Sequence, residues 1–169
     1  MAFRRESAYR GRRLRLDEAL IERFAMSRPG RLFAIHLAPH LDKVLIHQTK
    51  GRLSVMGIDT VGLVTTTGAK SGQPRMQPLV LIDDGDGLLA IGSNYGRPPH
   101  PAWSANLLAH PECTVEFNGP PRRYRAELLS GDDRAAAWDT AVDVYLGYES
   151  YRGRCAPRQI RVFRLRPID

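Results

Sequence analysis

The segment from Thr65 to Pro78, with the sequence TTTGAKSGQPRMQP, constrains the fold more than any other part of this chain. Small hydroxyl residues that suit extended backbone lead into a Gly-Ala-Lys-Ser-Gly turn, and a second strand opens at Gln73. Gly68 and Gly72 can adopt backbone conformations that other residues rarely take, so a tight reversal is available here. The segment therefore predicts a β-hairpin, whose two strands pair antiparallel.

The same turn carries groups that suit an anion. Lys70 and Arg75 lie five residues apart on either side of the bend, and Ser71 adds a hydroxyl. Two cations beside glycine-rich backbone amides would bind the phosphate of a cofactor. The alternative is a solvated turn with no ligand. The segment is not a Walker A loop, because its spacing of glycine, lysine and serine differs and no helix pattern follows.

Beyond Arg52 the chain shows the pattern of short strands separated by turns. The run Asp83–Gly87 and the run Asn118–Pro121 are hairpin-turn signals between apolar segments. Consecutive hairpins with a few inserted helices predict an α+β, mainly β fold: an antiparallel barrel with flanking helices, and not a βαβ sheet. The predicted strands are 52–58, 61–67, 75–83, 87–93, 112–118, 122–130 and 159–166, and the predicted helices among them are 101–109 and 132–146.

The N-terminal region differs in composition from the rest. Residues 1–15 hold six arginines against one glutamate, which is most of the formal net charge of +7. Apolar spacing predicts helices at 15–27 and 40–48. We therefore predict two units: 1–47, a basic arm with an N-terminal helical extension, and 48–169, the barrel domain.

The basic arm has two interpretations, a solvated tail or a weak contact with an anionic membrane surface. Nucleic acid is not expected as a partner, because no base-reading motif accompanies the arm. No apolar run approaches the roughly 20 residues needed to span a bilayer, and no apolar segment of a secretory signal follows the arginines. These features predict a cytoplasmic protein, with peripheral contact at the inner face of the membrane as the alternative.

Metal chemistry is not expected. Cys113 and Cys155 stand alone without metal-ligand spacing and are predicted to be free thiols. His36 and His40 are four apart, but a proline between them interrupts a helix. The aspartates of Asp83–Gly87 lack the spacing of a calcium loop and are better explained as a turn.

Three tyrosines, Tyr145, Tyr148 and Tyr151, recur at a spacing of three. They share one helical face if the preceding helix continues that far, although Gly147 and Gly153 indicate a frayed helix or a mobile flap. Tyrosine offers a flat apolar ring for an aromatic ligand and a hydroxyl that can donate a proton. The alternative is a packing stripe against the barrel.

Taken together and in order, four motifs resemble one family. They are TTTGAKSGQPRMQPL, GSN at Gly92–Asn94, HPAWSANLLAHP at His100–Pro111, and the tyrosine triplet. Over roughly residues 48–169 the chain resembles the deazaflavin-dependent nitroreductase family, a branch of the split β-barrel flavin and deazaflavin oxidoreductases. The resemblance implies a split β-barrel of the FMN-binding type, a homodimer, and a bound 8-hydroxy-5-deazaflavin, coenzyme F-420.

The resemblance also implies roles for individual residues. Lys70 and Arg75 would hold the phosphate and acidic tail of the cofactor, in agreement with the anion-binding turn. Tyr148 is the implied proton donor, and Ser93 is a second candidate catalytic residue. The other implied cofactor contacts are Ser71, Met76, Gln77, Pro78, Leu79, Val80, Ile91, Gly92, Ser93, Asn94, Trp103 and Asn106. The implied substrate side is Tyr145, Tyr148 and Tyr151.

Three positions depart from the family pattern. Ala69 stands where the family often has an arginine, Asn94 replaces a frequent lysine, and Val80 stands where the nitroreductase branch can carry a tyrosine. The departures bear on substrate range more than on cofactor binding. The implied function is hydride transfer from reduced coenzyme F-420 to a small electron-poor acceptor, namely a quinone, an enone or a nitroaromatic. The alternatives are an FMN-dependent split-barrel reductase and a non-catalytic deazaflavin-binding carrier or sensor.

Overall fold

The computed structural model describes residues 61–168. Over this range the chain forms six strands, three α-helices and one 3-10 turn. The strands are β1 (Val61–Thr67), β2 (Pro74–Asp83), β3 (Leu88–Ile91), β4 (Glu112–Glu116), β5 (Arg122–Leu128) and β6 (Val162–Pro167). The helices are α1 (Ala102–Ala109), α2 (Gly131–Val144) and α3 (Gly147–Arg154), and the 3-10 turn is Asn94–Gly96.

The six strands confirm the predictions made for this part of the chain, with ends shifted by a few residues. The predicted strand 52–58, the helices 15–27 and 40–48, the arm with its unit 1–47, and His36 and His40 lie outside the described residues.

The strands close into one antiparallel barrel, as predicted. Their order around it is β1-β2-β3-β6-β5-β4, and β4 pairs back onto β1. Three hairpins, β1–β2, β2–β3 and β4–β5, supply half of the six pairings, and β6 completes the barrel by inserting between β3 and β5.

The barrel interior is a tightly packed apolar core. Val64, Leu81, Phe163 and Leu165 point into it and are at most 1% exposed. Helix α1 adds Trp103, whose ring lies 5.7 Å from that of Phe163 between centroids. Because α1 contributes to this core, its position relative to the strands is fixed by apolar burial.

A second core lies between the outside of the barrel and the helices α2 and α3. Ile82, Leu89 and Val162 face outward from the strands and pack against Trp138 and Ala141 of α2. Alternation along the strands explains the two cores, since successive side chains point to opposite faces of a sheet. Among the described residues, no helix is long and apolar enough to cross a membrane.

The acidic turn between β2 and β3 has a structural role. Asp83 accepts a hydrogen bond from the Gly85 amide at 2.9 Å, and Asp84 pairs with Arg164 of β6 at 2.8 Å. The Arg164–Asp84 pair is largely buried, and the neighbouring carboxylates raise the pKa of Arg164. The turn is therefore tied to the neighbouring strand, in agreement with its interpretation as a turn.

Candidate functional site

Three segments lie toward one end of the barrel, which we call the turn end. The first is the β1–β2 turn, Gly68–Gln73. The second is the loop after β3, Gly92–Arg97, which lies here because Leu81 pairs with Ala90 and the chain beyond Ile91 runs back toward that turn. The third is α1, which begins just beyond this loop and reaches the turn through its side chains.

The β1–β2 turn is closed by its own backbone. The Gly68 amide donates to the Gln73 carbonyl at 2.9 Å, and the Gly72 amide donates to the Gly68 carbonyl at 2.8 Å. Gly72 has φ +64°, which favours glycine there, and a Cβ on Gly68 would lie 2.5 Å from Ser71 Oγ, so that hydroxyl would have to move. Ser71 Oγ accepts from the Gln73 amide at 3.3 Å. The predicted hairpin is confirmed.

Asn106 of α1 is hydrogen-bonded to this turn and to the end of β1. Its Oδ1 accepts from the Ala69 amide at 3.0 Å, and its Nδ2 donates to Thr66 Oγ1, also at 3.0 Å. Thr66 Oγ1 in turn donates to the Arg75 carbonyl at 3.4 Å. Both Asn106 and Thr66 are buried. The amide of Asn106 therefore fixes the backbone of the β1–β2 turn, and its predicted contact with the cofactor stays a prediction.

The cations of the turn are exposed. Neither Lys70 nor Arg75 has an ion-pair partner within residues 61–168, and Ser71 is exposed beside them. Ammonium, guanidinium and hydroxyl groups together are the donor set that binds phosphate and carboxylate. Within residues 61–168, the turn end therefore presents positive charge without an acidic partner, on a backbone closed by its own hydrogen bonds.

The predicted cofactor contacts on strand β2 divide between its two faces. Met76, Pro78 and Val80 share one face, whereas Gln77 and Leu79 lie on the other. Val80 packs beside the outer core and Leu79 packs against the barrel interior. Only alternate side chains of this strand can therefore face the same side of a ligand, and the predicted cofactor contacts of the five residues stay a prediction.

Trp103 was also predicted to form part of the cofactor wall. The structure places it in the barrel core, 5% exposed and against Phe163. Its position explains how α1 is anchored at the turn end, and a cofactor contact by its ring finds no support in this burial.

The loop Gly92–Arg97 has an unusual backbone. Asn94, Tyr95 and Gly96 have φ values of 50°, 56° and 75°, all in the left-handed region. Asparagine and glycine tolerate this conformation, but a tyrosine there is strained. Asn94 Nδ2 donates to the Pro99 carbonyl at 2.9 Å, so its side chain holds the loop. Ser93 lies at the start of the turn and is 9% exposed; its catalytic role stays a prediction.

The three predicted tyrosines come together, although not on one helical face. Helix α2 ends at Val144, and Tyr145 is extended, with φ −144°. The chain enters α3 at Gly147, where a Cβ would overlap the Tyr145 ring, so a glycine is needed. The hydroxyls of Tyr145 and Tyr151 lie 3.0 Å apart.

Tyr148 is buried in the outer core. It is 4% exposed, and its ring lies 6.2 Å from Trp138 and 5.2 Å from Tyr145 between centroids. Burial raises the pKa of the Tyr148 phenol above its ordinary value. The expectation that Tyr148 lies outside the core is therefore wrong, because α3 turns this ring toward α2. Its role as proton donor stays a prediction.

Two residues that the sequence analysis missed belong to this region. Tyr95 lies edge-on to Tyr151, with 6.4 Å between ring centroids, so it joins the tyrosine cluster of Tyr145, Tyr148 and Tyr151 to the loop. Arg158 donates hydrogen bonds to the same loop. An Asn-Tyr-Gly sequence after a strand is the one local signal that could have indicated a strained turn.

The fold and the turn end define a class, the split β-barrel oxidoreductases. A solved structure of an F420-H2 dependent reductase (FDR-A) is 34% identical, with a TM-score of 0.58, and the alignment covers 63% of this chain and 93% of that chain. A second solved structure, described as a domain-swapped dimer, is 31% identical, with a TM-score of 0.61 and coverage of 75% and 93%. These likenesses confirm the predicted fold.

Sequence comparison identifies the family within that class. The profile of the family named F420H(2)-dependent quinone reductase matches residues 43–167. An F420H(2)-dependent quinone reductase of Mycobacterium tuberculosis (strain ATCC 25618 / H37Rv) is 38% identical over an alignment of length 127 that covers 69% of this chain and 84% of that protein. The chain belongs to the F420H(2)-dependent quinone reductase family, which confirms the resemblance to deazaflavin-dependent oxidoreductases.

Proposed function

We propose that this protein is a reductase that uses reduced coenzyme F-420 to reduce a quinone-type acceptor at the turn end of its barrel. The observation that carries the proposal is the pair of exposed cations, Lys70 and Arg75, which have no acidic partner within residues 61–168, on the β1–β2 turn of a chain in this family. They provide the anchor that an anionic cofactor needs.

The residues present fit coenzyme F-420. Lys70 and Arg75 would bind its phosphate and acidic tail, with Ser71 as an additional donor. The exposed Met76 and its face of β2, with Pro78 and Val80, offer apolar area for a flat ring. When bound, the reduced deazaflavin supplies a hydride. The protein therefore has to bind, to orient and to supply a proton.

The tyrosine cluster is the proposed acceptor side. The hydroxyls of Tyr145 and Tyr151 are hydrogen-bonded to one another, so one proton lies between them. The hydroxyl that accepts that bond keeps its own proton, which it can donate to a carbonyl oxygen of an acceptor. Both tyrosines are partly exposed, whereas Tyr148 is buried. We therefore propose that Tyr148 supports the pair, and that the pair contacts the acceptor and donates the proton.

The direct test has two stages. Purified protein is titrated with coenzyme F-420 and with FMN, with intrinsic fluorescence as the readout. Protein with reduced F-420 is then assayed against quinones, enones and nitroaromatics. We expect tighter binding of F-420 than of FMN, and turnover with quinones. Tighter FMN binding would favour the FMN-dependent alternative, and F-420 binding without turnover on any acceptor would favour a carrier or sensor.

Two further parts of the proposal concern partners. A homodimer is supported by the solved relative described as a domain-swapped dimer, and sedimentation would test it. Peripheral membrane contact is supported only by the six arginines of residues 1–15. Deleting residues 1–13 should weaken binding to anionic vesicles and leave binding to neutral vesicles unchanged, because each basic residue near such a surface adds about 1 kcal/mol.

A further inference from the structure

Arg158 follows α3 and spreads its guanidinium over the loop Gly92–Arg97. Its Nη1 donates to the Gly92 carbonyl at 3.0 Å, and its Nη2 donates to the carbonyls of Ser93 and Arg97, both at 2.9 Å. Nη1 also lies 3.4 Å from His100 Nδ1. Almost all of the directional bonding of this guanidinium is therefore devoted to one loop and to the residue that leads into α1.

The acceptors stand on both sides of the strained turn. Gly92 and Ser93 precede the left-handed residues, and Arg97 follows them. A non-glycine residue with positive φ persists only when the surrounding structure determines it strongly. Arg158 joins the two ends of the loop through these hydrogen bonds. We infer that this link holds Tyr95 at positive φ, the conformation to which a tyrosine is less suited than asparagine or glycine.

The position of this loop matters for the proposed site. Gly92 continues β3 beside β2 at the turn end, and Tyr95 carries the loop into the tyrosine cluster. A Cβ on Gly96 would lie 3.1 Å from Tyr151 Cα and from Arg154 Cβ, so loop and α3 are in close contact. A shift of the loop would therefore displace both Ser93 and the aromatic rings.

We propose that Arg158 is a positioning residue for this site: it holds Gly92–Arg97 in the shape that places Ser93 against the cofactor and Tyr95 against the acceptor side. This inference rests on the proposed function. The planar guanidinium reaches three carbonyl oxygens at once, whereas a lysine ammonium is a compact group that keeps the charge without that geometry. Arg158→Lys is therefore the informative change, with Arg158→Gln as a second variant.

Arg134 provides a matched control. It is also a half-buried arginine that donates to a backbone carbonyl, but its partner is Ile160 at 3.0 Å and not the loop. Arg134→Lys changes the same chemical group at the same kind of contact. An effect that both variants share would come from replacing any half-buried arginine. An effect seen only in Arg158→Lys would come from the loss of its hydrogen bonds to the loop.

Hydrogen exchange gives a readout that does not depend on turnover. The amides of Gly96 and Arg97 donate to Ser93 and Asn94 within the loop at 3.0 and 2.9 Å, so they are protected while the loop keeps its shape. In Arg158→Lys we expect these amides to exchange at least roughly tenfold faster, and coenzyme F-420 affinity to fall by about tenfold, as the loss of directed hydrogen bonds predicts. Arg134→Lys should leave both unchanged.

The outcomes separate the two hypotheses. If the parent protein does not bind F-420, the proposed function fails, whatever the variants do. If the parent binds and Arg158→Lys exchanges its loop amides at the parent rate, the positioning role is overturned. Faster exchange with parent affinity for F-420 and parent KM for the acceptor also overturns it, since the loop would then be structural only. If neither Arg158 variant folds, Arg158 is a folding residue and the proposal is wrong.

Discussion

Two backbone segments at the turn end contain residues with positive φ: the β1–β2 turn and the loop Gly92–Arg97. They differ in the residue type at those positions and in the side chain that holds the backbone. The turn uses glycine where φ is positive, and a neutral amide, Asn106, holds it from behind. The loop places Asn94 and Tyr95 at positive φ, and the guanidinium of the half-buried Arg158 holds it. The cations of the turn have no acidic partner within residues 61–168, whereas the guanidinium beside the loop is hydrogen-bonded to the loop itself.

That difference assigns the two segments different tasks. An unstrained turn with exposed Lys70 and Arg75 can bind charge without changing shape. A strained loop held by Arg158 and packed on Tyr151 is suited to fixing geometry, because its conformation depends on groups beyond itself. Changes in the turn should therefore act on cofactor affinity, and changes that shift the loop should act on cofactor affinity and on turnover together.

The largest effect is expected from the two cations of the turn. In Lys70→Ala with Arg75→Ala, two charge-assisted contacts with the cofactor are lost, each worth roughly 1.5–3 kcal/mol. Affinity for coenzyme F-420, measured by fluorescence titration, should fall at least about 100-fold. The melting temperature should stay at the parent value because both side chains are exposed. Arg123→Ala with Arg125→Ala, which removes two exposed arginines of β5, is the control. If the parent and the turn variant bind coenzyme F-420 with equal affinity, the turn is not part of the cofactor site.

The tyrosine pair should give the next largest effect. Tyr151→Phe removes the hydroxyl that bonds Tyr145 and should lower turnover by about 10²-fold, the lower range for general acid catalysis. F-420 affinity should be unchanged. Tyr148→Phe is the matched comparison, with the same chemical change in a buried ring, and should lower turnover less. If Tyr148→Phe lowers turnover more than Tyr151→Phe does, Tyr148 is the proton donor and the Tyr145–Tyr151 pair is not.

Asn106 should give a smaller effect, on both stability and affinity. Asn106→Ala leaves the Ala69 amide and Thr66 Oγ1 without their partner. Leaving a buried polar group unpaired costs about 1–3 kcal/mol, so the free energy of unfolding should fall by about that amount. Asn106→Asp restores the acceptor for Ala69 but not the donor to Thr66, and should recover part of the loss. A parent-like unfolding curve for Asn106→Ala would show that the turn holds itself.

The turn was predictable from sequence because its causes are local. Hydroxyl residues, two glycines and a second strand stand within one short segment, and alternation of apolar residues locates each strand. The same reasoning located α1 and both hairpin turns. The candidate anion-binding residues Lys70, Ser71 and Arg75 follow from the same segment.

The loop was not predictable because its causes are distant. Arg158 is separated by 66 residues from Gly92, to which it donates, and Asn106 is separated by 37 from Ala69. Polar contacts of this span leave no periodic trace in the chain. The burial of Tyr148 and Trp103 was missed for a related reason: spacing says which residues share a face, but only packing decides what that face meets.

The smallest effect is expected from His100, which links the loop to solution pH. Burial and the nearby charges of Arg161 and Arg158 lower the pKa of His100 below 6.5. Its Nδ1 lies 3.4 Å from Arg158 Nη1 and accepts from it only while the ring is neutral at that atom. As pH falls through about 6.5, the unfolded state takes up the proton first, so this contribution to stability is present above that pH and lost below it. The melting temperature of the parent should therefore fall more steeply than that of His100→Gln between about pH 7.5 and pH 5.5, because glutamine keeps an acceptor and does not titrate. If the melting temperatures of the two proteins change in parallel with pH, the His100 contact does not contribute to stability. Arg158 would then hold the loop through the three carbonyls alone.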